Sequence, residues 1–191
     1  MDNWQLFNPR RCSDAPEILQ RIMRIQSQSS DFVGGKAKNL FELQALGCQV
    51  PHFVVIAADE LEAQFPNSLE ATEIRSFIDG FTFDSVFLAE ILAQFNGENV
   101  AVRSSALVED GKMHSFAGQF ESVLHVNESN LVDALKTVWK SGYSERIFAY
   151  KKANNLELSG GIAIVIQAMI DADVAGVGFG FNAVTGDRAQ V

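Results

Sequence analysis

Long apolar runs are scarce in this chain of 191 residues, and so are cysteine and proline. The longest nearly uninterrupted apolar stretches, residues 53–58 and 162–170, fall far short of the roughly 20 residues that a membrane-spanning helix needs. The N-terminal residues lack the basic and then apolar layout of a signal peptide. The two cysteines, Cys12 and Cys48, have no partner at metal or redox spacing. These absences predict a cytoplasmic chain with free thiols and no membrane partner.

Positive charge is also in short supply. The chain has 15 Lys and Arg against 24 Asp and Glu, which gives a formal net charge of −9. Binding to the phosphate backbone of nucleic acid needs a basic face, so we expect no nucleic-acid partner. With 47% hydrophobic residues, the composition is that of an ordinary globular chain, long enough for one large domain or two small ones.

Hydrophobic periodicity predicts helices and strands without a regular βαβ alternation, so we expect an α+β architecture. Helices are predicted over 36–46, 60–65, 68–77, 85–95 and 129–143, and strands over 53–56, 100–102, 121–126, 162–170 and 174–181. Gly47 is predicted to end the first helix. The turn chemistry of residues 182–187 predicts a reversal into a last strand.

A glycine pair opens the first predicted helix. In Val33-Gly34-Gly35-Lys36, the glycines let backbone N–H groups face an anion, while the helix N-terminus and Lys36 add positive charge. This pattern suits a phosphate group, although the spacing is not that of a P-loop. The residues alone leave a second interpretation open, in which a Gly-Gly turn precedes a surface helix with solvated lysines.

An arginine follows the strand predicted over 100–102. Arg103 at the end of a buried strand is costly unless it is paired, and its planar guanidinium suits phosphate oxygens. The nearby Glu109 and Asp110 offer an alternative, a structural ion pair on a loop. Both interpretations stay open at the level of the residues.

Further segments contain candidate ligand-binding residues of lower specificity. Gly118 permits close approach of a ligand to the backbone, and Ser122 offers a hydroxyl group. Gln167 is a polar amide in an apolar run, so it needs partners, either an adenine or ribose or the backbone of a neighbouring strand. Met169 beside it could offer backbone groups and a soft apolar surface to a purine. The glycines of residues 175–181 predict strand packing, because no phosphate-binding helix follows them.

The three histidines, His52, His114 and His125, have no other ligands at metal spacing. No pattern of a nucleophile with a histidine is evident either. Each histidine is therefore predicted to be structural or exposed, and neither a metal site nor a catalytic residue is predicted within this chain.

Three segments carry a family resemblance through their order and spacing. They are GGKAKNLFELQALGCQVPHFVV, VAVRSSALVEDGKMHSFAGQFESVLHV and IAIVIQAMIDADVAGVGFGFNAVTGDR. Together they resemble the N-terminal nucleotide-binding region of the phosphoenolpyruvate synthase and pyruvate phosphate dikinase family, which includes rifampicin phosphotransferases. The resemblance implies an ATP-grasp-like lobe, with residues 1–31 as an N-terminal extension and 32–191 as the N-terminal part of the AMP/ATP-binding domain.

The resemblance also implies ligand contacts for six residues. Lys36 and Arg103 would contact the nucleotide phosphates, Gly118 and Ser122 would border the nucleotide, and Gln167 would border the adenosine end with Met169 beside it at the hinge. The chain departs from the family at Ala37, where a glycine is usual, and at Ser122, where threonine is more usual. Neither departure removes a phosphate ligand.

The activity implied by the resemblance is phosphoryl transfer with ATP and Mg²⁺. ATP would phosphorylate a histidine, which would pass the group to pyruvate or another acceptor. In the family the magnesium ligands, the phosphohistidine domain and the acceptor domain follow the matching segments. We therefore expect a lobe incomplete at its C-terminal end and inactive as a kinase by itself, with the missing domains in cis or on another subunit. The alternative is a non-catalytic remnant of the fold that serves as a partner-binding or regulatory module.

Overall fold

The computed structural model describes residues 23–26, 31–65, 71–107, 120–145, 147–149, 161–176 and 178. The helices are α1 (Gly34–Ala45), α2 (Ala58–Glu62), α3 (Ala71–Gly80), α4 (Ser85–Ala93) and α5 (Leu131–Ser141). The strands are β1 (Ile25–Gln26), β2 (Phe53–Ile56), β3 (Val100–Ala106), β4 (Ser122–Val126) and β5 (Ile162–Ala168). Among these elements, no helix has the length and apolar character needed to cross a membrane.

The described strands form one antiparallel sheet in the order β1-β2-β5-β3-β4. The last of them in the chain, β5, lies between β2 and β3. Ile164 of β5 pairs with Ile56 on one side and with Ser104 on the other. Because β2 and β5 are covered on both faces, their residues are buried almost without interruption.

The larger core lies between one face of the sheet and helices α2 to α5. On α5, Leu131, Leu135, Val138 and Trp139 recur at helical spacing and are buried against it. The indole of Trp139 is fully buried and stacks on Phe65, with ring centroids 5.4 Å apart. This core packs on the face of the sheet opposite the one that contains the candidate site.

Helix α1 packs on the other face of the sheet. The buried residues of this smaller cluster come from α1 with the residue before it, and from β2 and β5: Val33, Ala37, Phe53, Val55, Ala163 and Val165. On the same face, farther from α1, Ser122 of the edge strand β4 is exposed. Among the described elements, helices α2 to α5 therefore pack on one face of the sheet, and α1 covers part of the other.

The α+β architecture predicted from the sequence is confirmed, whereas several element ends differ. β2 has the predicted bounds, and α1 ends before Gly47, whose φ of +80° matches its predicted role. β3 continues four residues past Val102, so Arg103 lies within a strand instead of following one. Its continuation is fixed by pairing with β5, which the local sequence does not reveal.

Two further differences lie at the ends of the chain. β1, within the predicted N-terminal extension, was not predicted, and it pairs with β2. The prediction of a strand over 174–181 is wrong for residues 174–176 and 178. These residues lie in no strand and are exposed, whereas a strand of a sheet needs a buried face. The rest of that segment and the turn predicted over 182–187 lie outside the described residues.

Candidate functional site

The first turn of α1 is joined to β3 by a side chain from far along the sequence. Val33, the N-cap residue, makes no side-chain capping hydrogen bond. The backbone N–H of Ala37 donates instead to Ser105 Oγ, at 3.0 Å and 68 residues away. Ser105 is fully buried. The turn that contains Lys36 is thereby fixed to the same strand as Arg103, two residues along it.

Gly34 allows this close approach. Its φ of +71° is a conformation that residues with a side chain rarely adopt. A Cβ at this position would lie 2.3 Å from the carbonyl oxygen of Ser105 and 2.7 Å from its Oγ. Any side chain there would push α1 away from β3. The first glycine of the pair is therefore required for packing, independently of any role of the pair in binding an anion.

Arg103 lies on the sheet face that α1 covers. In register, it pairs with Val165 of β5 and with Ser122 of β4. Residues directly opposite one another in antiparallel strands point to the same face. Val165 packs in the same cluster as Ala37 of α1. Arg103 and Ser122 are thus neighbours on the face that is only partly covered.

Gln167 contacts Arg103 directly. Arg103 Nη1 donates to Gln167 Oε1 at 3.4 Å, a long hydrogen bond. Gln167 is 8% exposed, so its amide oxygen needs a partner, and the guanidinium provides one. The sequence left open a nucleoside or the backbone of a neighbouring strand as the partner. The partner found in the structure is instead a side chain, Arg103 of the neighbouring strand β3, so the position of the guanidinium depends on Gln167.

The other predicted residues lie around this pair. Lys36 is half-buried in the first turn of α1, and Met169 is half-buried just past β5, where its N–H donates to the carbonyl oxygen of Asn99 at 3.0 Å. Gly118 lies outside the described residues, as do Glu109 and Asp110, the alternative partners of Arg103. The structure therefore brings Arg103, Ser122 and Gln167 together on one face, with the α1 turn that contains Lys36 attached to the same strand.

The described part of the chain offers no group of three or more His, Cys, Asp or Glu side chains that could hold a metal ion. His52 and His125 are exposed, as predicted, and His114 lies outside the described residues. A cavity of about 760 Å³, lined by residues such as Ile91 and Leu131, contains none of the five described site residues. It belongs to the side of the larger core.

The sequence did not reveal Ser105 as part of this site, and it did not reveal the packing role of Gly34. The sequence places two hydroxyl residues, Ser104 and Ser105, directly after Arg103, but nothing local indicates which of them faces α1. The absence of a polar N-cap before Gly34 shows only that no neighbouring side chain fixes the helix start, and nothing in the local sequence points to Ser105.

Comparison with known proteins supports the family resemblance. Residues 61–191 match the family described as pyruvate phosphate dikinase, AMP/ATP-binding domain. The chain is 34% identical over 189 residues to the prodigiosin synthesizing transferase of Serratia marcescens, covering 92% of this chain and 21% of that protein. It is 32% identical over 181 residues to an uncharacterized phosphotransferase of Bacillus subtilis, with 89% and 22% covered.

A probable phosphoenolpyruvate synthase of Methanothermobacter thermautotrophicus is 30% identical over 219 residues, with 94% of this chain and 32% of that protein covered. The chain thus spans between about a fifth and a third of the length of these three relatives. The family match covers more than half of the chain. The chain therefore belongs to the pyruvate phosphate dikinase AMP/ATP-binding domain family, as the order of its three segments predicted.

Proposed function

We propose that this chain is the ATP-binding portion of a phosphotransferase of the phosphoenolpyruvate synthase and pyruvate phosphate dikinase type. In the complete enzyme, ATP phosphorylates a histidine on a separate domain, and the histidine passes the group to pyruvate or another acceptor. Family membership supports the ATP-binding role. The phosphohistidine and acceptor domains are supplied in cis or by another subunit, and the complete enzyme is cytoplasmic.

The observation that carries the proposal is the attachment of the α1 turn to β3 close to Arg103. Enzymes that transfer phosphoryl groups rely on positioned cations to hold the phosphates and neutralise developing charge. A chain with a net charge of −9 repels ATP as a whole, so a few placed cations must hold it. Lys36 stands in a turn bonded to Ser105, and Arg103 lies two residues away on that strand.

The remaining predicted residues fit the same ligand. Ser122 pairs with Arg103 and offers a hydroxyl group on the open part of the face. Gln167 holds the guanidinium and, with Met169 beside it, borders the adenosine end. We expect Gly118 to border the nucleotide as well. Mg²⁺ would neutralise charge on the phosphates. The family resemblance implies that its ligands follow the three matching segments.

The test is isothermal titration with Mg-ATP of the unsubstituted chain and of the Lys36→Ala and Arg103→Ala variants. A charge-assisted hydrogen bond is worth about 1.5–3 kcal/mol, so each variant should bind about 10- to 100-fold more weakly. Matched controls remove one positive charge elsewhere. They are Lys38→Ala, an exposed lysine of α1, and Arg75→Ala, an exposed arginine of α3.

The controls should stay within about twofold of the unsubstituted chain, because exposed charges away from the ligand act only through screened electrostatics. Equal affinity in all five proteins would refute the assignment of Lys36 and Arg103. A chain that binds no nucleotide at all would instead favour the non-catalytic remnant, whose fold persists for partner binding or regulation.

A further inference from the structure

We propose that Ser105 is a positioning residue of the nucleotide site. Its hydroxyl group holds the first turn of α1 on β3 and so sets where Lys36 stands relative to Arg103. This inference rests on the proposed function, in which both cations bind the same chain of phosphates. Ser105 itself touches no nucleotide in this proposal.

A hydrogen bond crosses from α1 to β3. α1 begins after Val33, which makes no side-chain capping hydrogen bond, so no neighbouring side chain fixes its first turn. The N–H of Ala37, the fourth residue of α1, donates to Ser105 Oγ on a strand 68 residues away. The end of the first turn is therefore tied to β3.

The contact between Gly34 and Ser105 leaves no free space between α1 and β3. Ser105 is fully buried, and the backbone of Gly34 lies so close that a Cβ would meet Ser105 O at 2.3 Å. A hydrogen bond in such a site is stronger than one in water, because no solvent competes for it. The bond and the close contact together allow one position for the first turn of α1.

Apolar contacts that do not involve the Ser105 hydroxyl group also hold α1 on the sheet. Val33 and Ala37 are fully buried against Phe53 and Val165. Loss of one hydroxyl group leaves this apolar contact in place, so α1 should remain docked with a loosened first turn. The expected defect is therefore a change in the separation of the two cations and not a loss of the fold.

The experiment is titration of the Ser105→Ala variant with ATP and, separately, with adenosine, which has no phosphate groups. We expect ATP affinity to fall about 5- to 10-fold, the equivalent of one ordinary hydrogen bond, and adenosine affinity to stay within twofold. Ser104→Ala is the matched control, because Ser104 is equally buried but points to the opposite face of β3. It should leave the ratio of ATP to adenosine affinity unchanged.

A double-mutant cycle separates positioning from general structural support. In the Lys36→Ala background, Ser105→Ala should have almost no further effect on ATP affinity, because the cation that it positions is gone. Gly34→Ala, which keeps the hydroxyl group but pushes α1 off β3, should reproduce the selective loss of ATP affinity. It also tests the inference if Ser105→Ala fails to fold.

Amide hydrogen exchange gives a readout without nucleotide. The amide of Ala37 should exchange at least about tenfold faster in Ser105→Ala than in the unsubstituted chain, since it loses the Ser105 acceptor and the first turn of α1 loosens. An unchanged ATP affinity, an equal loss for adenosine, or an additive loss in the Lys36→Ala background would each overturn the inference while leaving the proposed function intact. Failure of the unsubstituted chain to bind ATP would overturn both.

Discussion

The contact between Gly34 and Ser105 yields a quantitative prediction for the substitution Gly34→Ala. Two costs add at this position. A residue with a side chain pays about 1–2 kcal/mol to adopt a left-handed backbone conformation, and the φ of Gly34 is +71°. The new methyl group would also lie 2.3 Å from a backbone oxygen, and overpacking of this kind costs about 1–3 kcal/mol. The expected total is about 2–5 kcal/mol.

Two other glycines provide matched controls for the first of these costs. Gly47 and Gly97 have φ values of +80° and +81°, and a Cβ at either position would have no atom within 4 Å. Gly47→Ala and Gly97→Ala should therefore lose only about 1–2 kcal/mol. The difference between Gly34→Ala and these controls isolates the contact between α1 and β3.

Urea unfolding followed by circular dichroism measures all three variants on one scale. The midpoint for Gly34→Ala should lie clearly below both control midpoints, with a similar denaturant slope. If Gly34→Ala is no less stable than Gly47→Ala, the helix start is free to move away from Ser105. The reasoning about a fixed first turn would then be refuted.

Three further predictions concern Gln167, Asp79 and Tyr143. Gln167→Leu should weaken ATP binding about tenfold in calorimetry by releasing the guanidinium of Arg103; an unchanged affinity would contradict this. The hydrogen bond from Lys140 lowers the pKa of the Asp79 carboxyl group below 3.8. The stability that this pair contributes is therefore present above that pH and lost as the pH falls. The urea midpoints of Asp79→Asn and the unsubstituted chain should converge in acid. Burial and the nearby Glu62 carboxylate raise the pKa of Tyr143 above 10.0, so stability should fall as pH rises past that value, and its phenolate absorbance should appear only with unfolding. A phenolate signal from the folded chain that Tyr143→Phe removes would refute the last prediction.

The fold was predictable where local pattern and burial agree. The run Phe53–Ile56 is apolar throughout and forms β2 with the predicted bounds. α5 shows helical spacing of its buried residues. The extension of β3 over Arg103, Ser104 and Ser105 was not predictable, because these polar residues become strand through pairing with β5. β1 has two residues, too few for any periodicity.

The candidate site was predictable in its residue types and not in its contacts. The glycine pair that precedes Lys36 stands out in the sequence. Arg103 and Gln167 stand out as well, because each is a polar side chain in an apolar segment. The two bonds that connect them, from Arg103 to Gln167 and from Ala37 to Ser105, span 64 and 68 residues. Such pairings depend on strand order, and the sequence alone does not indicate that β5 lies between β2 and β3 in the sheet.

That central position of β5 has a consequence for folding on the ribosome. β2 and β3 are synthesised first but do not pair with each other, and the strand that joins them arrives more than 100 residues after Ile56, at Ile164. At about 5–20 residues per second, β2 waits on the order of 5–20 s for its partner. During this interval an apolar strand has an open edge, which is the situation that favours aggregation or chaperone binding. The proposed nucleotide site, with Arg103 on β3 and Gln167 on β5, can form only when β5 has left the exit tunnel.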